Sequence, residues 1–182
     1  MPEGLKIVAL CVAAAVAYGV VHDQITARLC IEYFTVGHKR LWPTDSPTMH
    51  GLIWGFVATW WAGAFLGVLL AVAARFGPGR KRSWKELSRP VRNVLAAMAL
   101  SAATVGALTA LAVVPGFTYA GPWSFEIPKE AHCWFFVCAR THEASYAGAA
   151  VFGLTLVLWT ARSRWKVVDR EAWRASAAGR GA

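Results

Sequence analysis

Gly51–Ala74 reads GLIWGFVATWWAGAFLGVLLAVAA, 24 consecutive residues without a charge. A helix rising about 1.5 Å per residue needs roughly 20 residues to cross a ~30 Å hydrocarbon core, so this stretch alone predicts a membrane-spanning helix. Val94–Val114 (21 residues) does the same. Leu5–Val21 (17 residues, with Lys6 at its edge) and Ala144–Ala161 (18 residues) reach the length only by continuing into Tyr18–His22 and Thr141–Glu143. Backbone groups cannot stay unpaired in lipid, and nothing here alternates with period two, so helices are expected rather than barrel strands. The reading is an all-α membrane protein, one four-transmembrane-helix bundle with spans near 5–22, 48–74, 93–114 and 141–161. The 22–50 and 115–143 segments form an outer-face cap.

The 182 residues are 57% apolar and 16% charged, against about 45–50% and about 25% for soluble domains. Those values exclude disorder, and the Gly and Cys counts exclude collagen-like and disulfide-dense folds. The length suits one domain. Ile7–Ala14 followed by Ala15-Val16-Ala17 also fits a signal core with its cleavage site, but a single Lys is a weak n-region and the stretch is read as a retained span.

Charge sets the expected orientation. Lys6, seven Lys/Arg in the 75–92 loop and six in the 162–182 tail make 14 basic residues on one side. The other side has five: Arg28, Lys39, Arg40, Lys129 and Arg140. The positive-inside rule then puts both termini, the basic loop and the tail in the cytoplasm. The surplus of 19 Lys/Arg over 10 Asp/Glu is thus a topology signal that also attracts anionic lipid, not a nucleic-acid footprint.

Helix punctuation supports the map. Ser46-Pro47 predicts the start of the second helix, Ser88-Arg89-Pro90 that of the third, and Pro115-Gly116 its end. Ile25, Leu29, Cys30, Tyr33 and Phe34 recur at helical spacing, so the first helix is expected to run on to a left-handed Gly37, with Arg28 and Glu32 paired four apart. Glu130–Ala139 should lead helically into the fourth span, and Arg162–Trp173 should extend it. Gly51/Gly55 and Gly63/Gly67 are small-xxx-small pairs expected to pack helices closely. Walker, G-x-G-x-x-G, C-x-x-C, H-E-x-x-H and G-x-S-x-G motifs are absent, and no span carries a charge at mid-depth.

All five histidines fall on the outer side: His22, His38, His50, His132 and His142. His22 ends the first span, His50 begins the second and His142 begins the fourth, so three helices deliver an imidazole at nearly one depth. Asp23, Glu143, Glu32 and His38 lie close by in sequence. Imidazole with carboxylate at convergent points is a ligand set for a Zn, Fe or Cu ion. The candidate metal ligands are therefore His22, His50 and His142, completed by Glu32, His38, Asp23 or Glu143. Tyr18, Gln24, Thr26, Ser145 and Tyr146 are candidates to orient ring nitrogens. The bland alternative is a set of interface-level polar residues solvated by headgroups. Another is b-type haem, with Trp54, Trp60 and Trp61 around the macrocycle; acids beside each His suit an ion better. Among Cys30, Cys133 and Cys138, an oxidising compartment would allow one disulfide; a thiolate Cu(I) site would require them reduced.

YGVVHDQITAR (residues 18–28), EYFTVGH (32–38) and HEASY (142–146) resemble the signature of a group of short bacterial multi-pass membrane proteins. Ser46-Pro47, Trp54-Gly55 and Thr59-Trp60-Trp61 belong to the same pattern, which covers most of residues 18–160. The resemblance implies a family of its own rather than a fragment of a transporter or oxidase; it carries no activity and assigns no catalytic residue. Two functional classes remain: a metal site at the outer face supporting hydrolysis or oxidation, or a non-catalytic subunit or assembly factor that binds a membrane-protein partner through the cap.

Overall fold

The computed structural model describes residues 1–38, 41–77, 79–113 and 116–178, with side chains through Arg164. Lys39, Arg40, the Pro115 stop and the end of the tail beyond Ala178 lie outside the described residues. Among those described, every regular element is helical. They are α1 (Glu3–Leu29), α2 (Glu32–Thr35), α3 (Pro47–Val57), α4 (Trp60–Arg75), α5 (Trp84–Ala112), a 3-10 turn (Lys129–Ala131) and α6 (His132–Ala178). Four helical stretches, Glu3–Leu29, Pro47–Arg75, Trp84–Ala112 and Lys129–Arg164, are long and apolar enough to cross a membrane. Apolar side chains are also exposed around the girth, as at Phe65 (60%), Leu108 (61%) and Val151 (60%). Water would oppose such a surface and lipid does not. This is a multi-pass membrane protein.

Glycine determines how the first two spans meet. A Cβ on Gly51 would strike Gln24, on Gly55 Val20, on Gly63 Val12 and on Gly67 Val8, each 3.0 Å away or less. The partner numbers fall as the glycine numbers rise, so α1 and the α3–α4 span are antiparallel with their backbones in close contact. Both small-xxx-small pairs thus do the expected packing. The α3–α4 span is interrupted at Ala58-Thr59, where the Thr59 hydroxyl donates back to the Gly55 carbonyl. α5 packs on α6 and α1, and α6 also packs on α4, so α1 and α6 stand diagonally across the bundle.

Three boundaries differ from expectation. α1 stops at Leu29 because Cys30 turns extended (φ −153°, ψ 102°). Arg28 therefore does not reach Glu32; its guanidinium donates to Gln24 and to Thr48 Oγ1 (2.7 Å). Gly37 is not left-handed, since only Gly77, Gly79 and Gly116 among described glycines have positive φ; it is small because a Cβ would lie 3.0 Å from the Phe135 ring. α5 starts at Trp84 rather than near Pro90, because Ser83 and Glu86 form a reciprocal capping box. The Ser46-Pro47 start holds, with Met49 N–H donating to Ser46 Oγ.

At the basic end Arg164 is 2% exposed and ties down the chain leaving α4. Its guanidinium donates to the carbonyls of Ala73 and Phe76 (both 2.7 Å) and Arg80 (3.0 Å). A cation thereby satisfies carbonyls that the helix terminus leaves unpaired. At the opposite end Cys30, Ile127, Phe135 and Cys138 form a small core that joins the segments around 30–37 and 116–131.

Candidate metal centre

His22 and Asp23 are consecutive on α1, about 100° apart around the helix axis. Both reach the bundle axis at the one level where α6 brings His142 across the diagonal. One ligand atom from each of the three lies within 4.8 Å of the other two. Asp23 and His142 are 6% and 5% exposed. The His22 and His142 rings sit edge to face with centroids 4.6 Å apart.

The hydrogen bonds determine which nitrogens are available. His142 Nδ1 is 2.8 Å from the Cys138 carbonyl, which can only accept, so Nδ1 carries a proton. In the neutral ring Nε2 is then a lone pair, and it faces Asp23 Oδ1 at 3.2 Å. Two acceptors at that distance require a proton or a cation between them. His22 Nδ1 is 3.4 Å from Ser145 Oγ, which is 2.8 Å from the Tyr18 hydroxyl. The Nε2 of His22 is buried with no partner. With His22 Nδ1 assigned as donor to Ser145, both imidazoles have Nδ1 held by the protein, while Nε2 is unpartnered in His22 and turned to Asp23 in His142. Ligating histidines are normally oriented in this way.

Phe34 and Tyr33 close the site from the cap. The Tyr33 ring lies 4.5 Å and the Phe34 ring 5.9 Å from that of His142. Burial pushes the Tyr33 phenol well above its ordinary range and the Cys30 thiol up to about 12, so both stay protonated.

The other candidate ligands surround this group without joining it. His50 is 2% exposed and its Nε2–H donates to the Thr44 carbonyl (2.9 Å). His38 Nδ1–H donates to the Tyr33 carbonyl (2.7 Å). The Phe34 ring neighbours both, 6.2 Å from His50 and 6.0 Å from His38, and the Tyr33 ring lies 4.8 Å from that of His38. The Glu32 carboxylate accepts from Cys30 Sγ (3.3 Å), and Glu143 pairs outward with Arg140. His132 pins the cap loop, with Nδ1 accepting from Tyr119 N–H and Nε2–H donating to the Ile127 carbonyl, both at 3.0 Å. All four cysteines are free thiols.

Of the residues expected to orient the imidazoles, Tyr18 and Ser145 do so. Gln24 instead donates to the Thr48 carbonyl, and Thr26 to the His22 carbonyl. The aromatic roof of Tyr33 and Phe34 carried no sequence signal, because aromatic residues at helical spacing read equally well as interface or core. No protein-family model matches this chain, and neither a curated protein nor a solved structure matches it.

Proposed function

We propose that this is a membrane metalloprotein in which His22, Asp23 and His142 bind one divalent transition-metal ion beneath the cap. The carrying observation is the set of ring nitrogens: each Nδ1 has a protein partner, the buried Nε2 of His22 has none, His142 Nε2 faces Asp23 Oδ1 at 3.2 Å, and one ligand atom from each of the three residues lies within 4.8 Å of the others. Two imidazoles and a carboxylate suit Zn²⁺, Fe²⁺ or Cu²⁺. Three protein ligands leave a position open, and an ion so held acidifies bound water or polarises an oxygen for hydrolysis or oxidation. Two imidazoles 4.6 Å apart leave no room for a macrocycle between them, which favours an ion over haem.

In this reading the cap faces away from the cytoplasm and the basic end meets anionic lipid, supported by the 14 to five split of basic residues. A second reading, a subunit that docks a membrane partner through its cap, has in its favour the exposed Trp42, Trp123 and Phe125.

Elemental analysis with a visible spectrum on detergent-purified protein separates these. The expected result is close to one zinc, iron or copper per chain, lost in His22→Ala and in His142→Ala. Protein with neither metal nor chromophore would overturn the metal reading and favour the docking subunit; a Soret band would favour haem.

A further inference from the structure

Resting on that metal reading, we propose that the cavity below His22, Asp23 and His142 takes the tail of a single-chain, monoanionic lipid, a long-chain carboxylate, whose head reaches the ion. The cavity lies among all four spanning helices and has a polar lining at one end. Tyr18, His22, Asp23, His142 and Ser145 form that end. From there it descends past Ala62 and Ala149 to Leu70, Val91 and Val157, where the lining is apolar.

Three arguments select the occupant. A buried water needs two to four polar partners, and the lower side-chain lining offers only the weakly polar Cys11 thiol, so hydrocarbon fits it better than water does. Along α6 the lining runs from His142 to Val157, about 22 Å of helix, whereas one leaflet of a ~30 Å core accommodates an acyl tail in about 15 Å. A divalent ion on two neutral imidazoles and one carboxylate retains one positive charge, which a monoanionic head neutralises. Tyr18 and His22 also border a second recess, between α1, α5 and α6 and lined by Ala99, Ala103 and Gly106. The polar end thus has a side bordered by the small-residue face of α5, next to the exposed Val21 and Ile25.

The test is equilibrium binding of radiolabelled palmitate to zinc-loaded protein in phosphatidylcholine nanodiscs, with empty nanodiscs subtracted. One saturable site per chain is expected, weakened at least tenfold in Ala149→Phe while zinc content is unchanged. Ala62→Leu supplies the same comparison should the larger side chain prevent folding. In the cobalt-substituted protein, palmitate should shift the visible bands and hexadecanol should not. Palmitate that only partitions into lipid, or cobalt bands that do not move, would overturn the proposal while leaving the metal reading intact. Wild-type protein that binds no zinc would sink the metal reading and this one with it.

Discussion

His22 is oriented by a relay of hydroxyls, and the relay's contribution can be separated from that of the proposed ligands. Ser145→Ala removes the partner of Nδ1 without touching Nε2, and Tyr18→Phe removes the hydroxyl that steadies Ser145. Loss of such an orienting group commonly weakens metal binding by about 10–100-fold. We expect Ser145→Ala to fall in that range by competition with a chelator, whereas His50→Gln leaves metal affinity unchanged because its Nε2 holds a backbone carbonyl. An equal loss in both variants would show that the effect is structural. His38 supplies a pH signal. Burial lowers its imidazole below 6.5, against the upward pull of the Tyr33 carbonyl and of more distant Asp23. The unfolded chain therefore binds a proton that the folded cap does not, and the cap's stability is whole above 6.5 and falls as the pH drops from there towards the folded value. Hydrogen exchange across residues 31–38, corrected for its intrinsic pH dependence, should accelerate on acidification to about pH 5, and His38→Gln should flatten that response. The candidate histidines His22 and His142 could be read from their places at span ends. The separation of His50 from them could not, because its bond to the Thr44 carbonyl and the Phe34 ring beside it leave no mark in residue spacing.

Helix pairing here depends on which glycines touch backbone. Gly55→Ala would place a Cβ 2.5 Å from Val20 Cα, and neither backbone can yield without separating the helices. Overpacking of this kind costs about 1–3 kcal/mol. Gly4→Ala is the control, since its Cβ would meet only Ala71 at an ordinary 4.0 Å. Thermal unfolding in mild detergent should show a clear drop for the first variant and none for the second. The i, i+4 glycine spacing was visible in the sequence, but the partner helix was not. The break at Cys30 was also hidden, since the apolar residues keep helical spacing through Phe34 while Cys30 turns extended. At the other end, the Ser83–Glu86 box outweighs Pro90 as the start of α5, because Pro inside a helix removes one donor whereas the box satisfies two.

The bundle exposes apolar side chains around its girth and buries Asp23, His142 and Ser145 at one end and Arg164 at the other. Its proposed orientation is testable in intact cells. In a Cys133→Ser background, which removes the one part-exposed native thiol, Phe125→Cys at a fully exposed cap position should react with a membrane-impermeant maleimide, and Lys81→Cys at the basic end should react only after lysis. The opposite pattern would invert the topology. The number of spans, their approximate limits and the helical class were determined by the sequence itself, because crossing lipid requires a run of uncharged residues of set length, and that requirement is local. The composition of the site was decided by tertiary structure alone. His22, Asp23 and His142 meet because α1 and α6, diagonal elsewhere, converge beneath Phe34 and Tyr33. That convergence depends on glycine contacts, a broken helix and packed rings from four segments, and no periodicity along one chain encodes a distance between two helices.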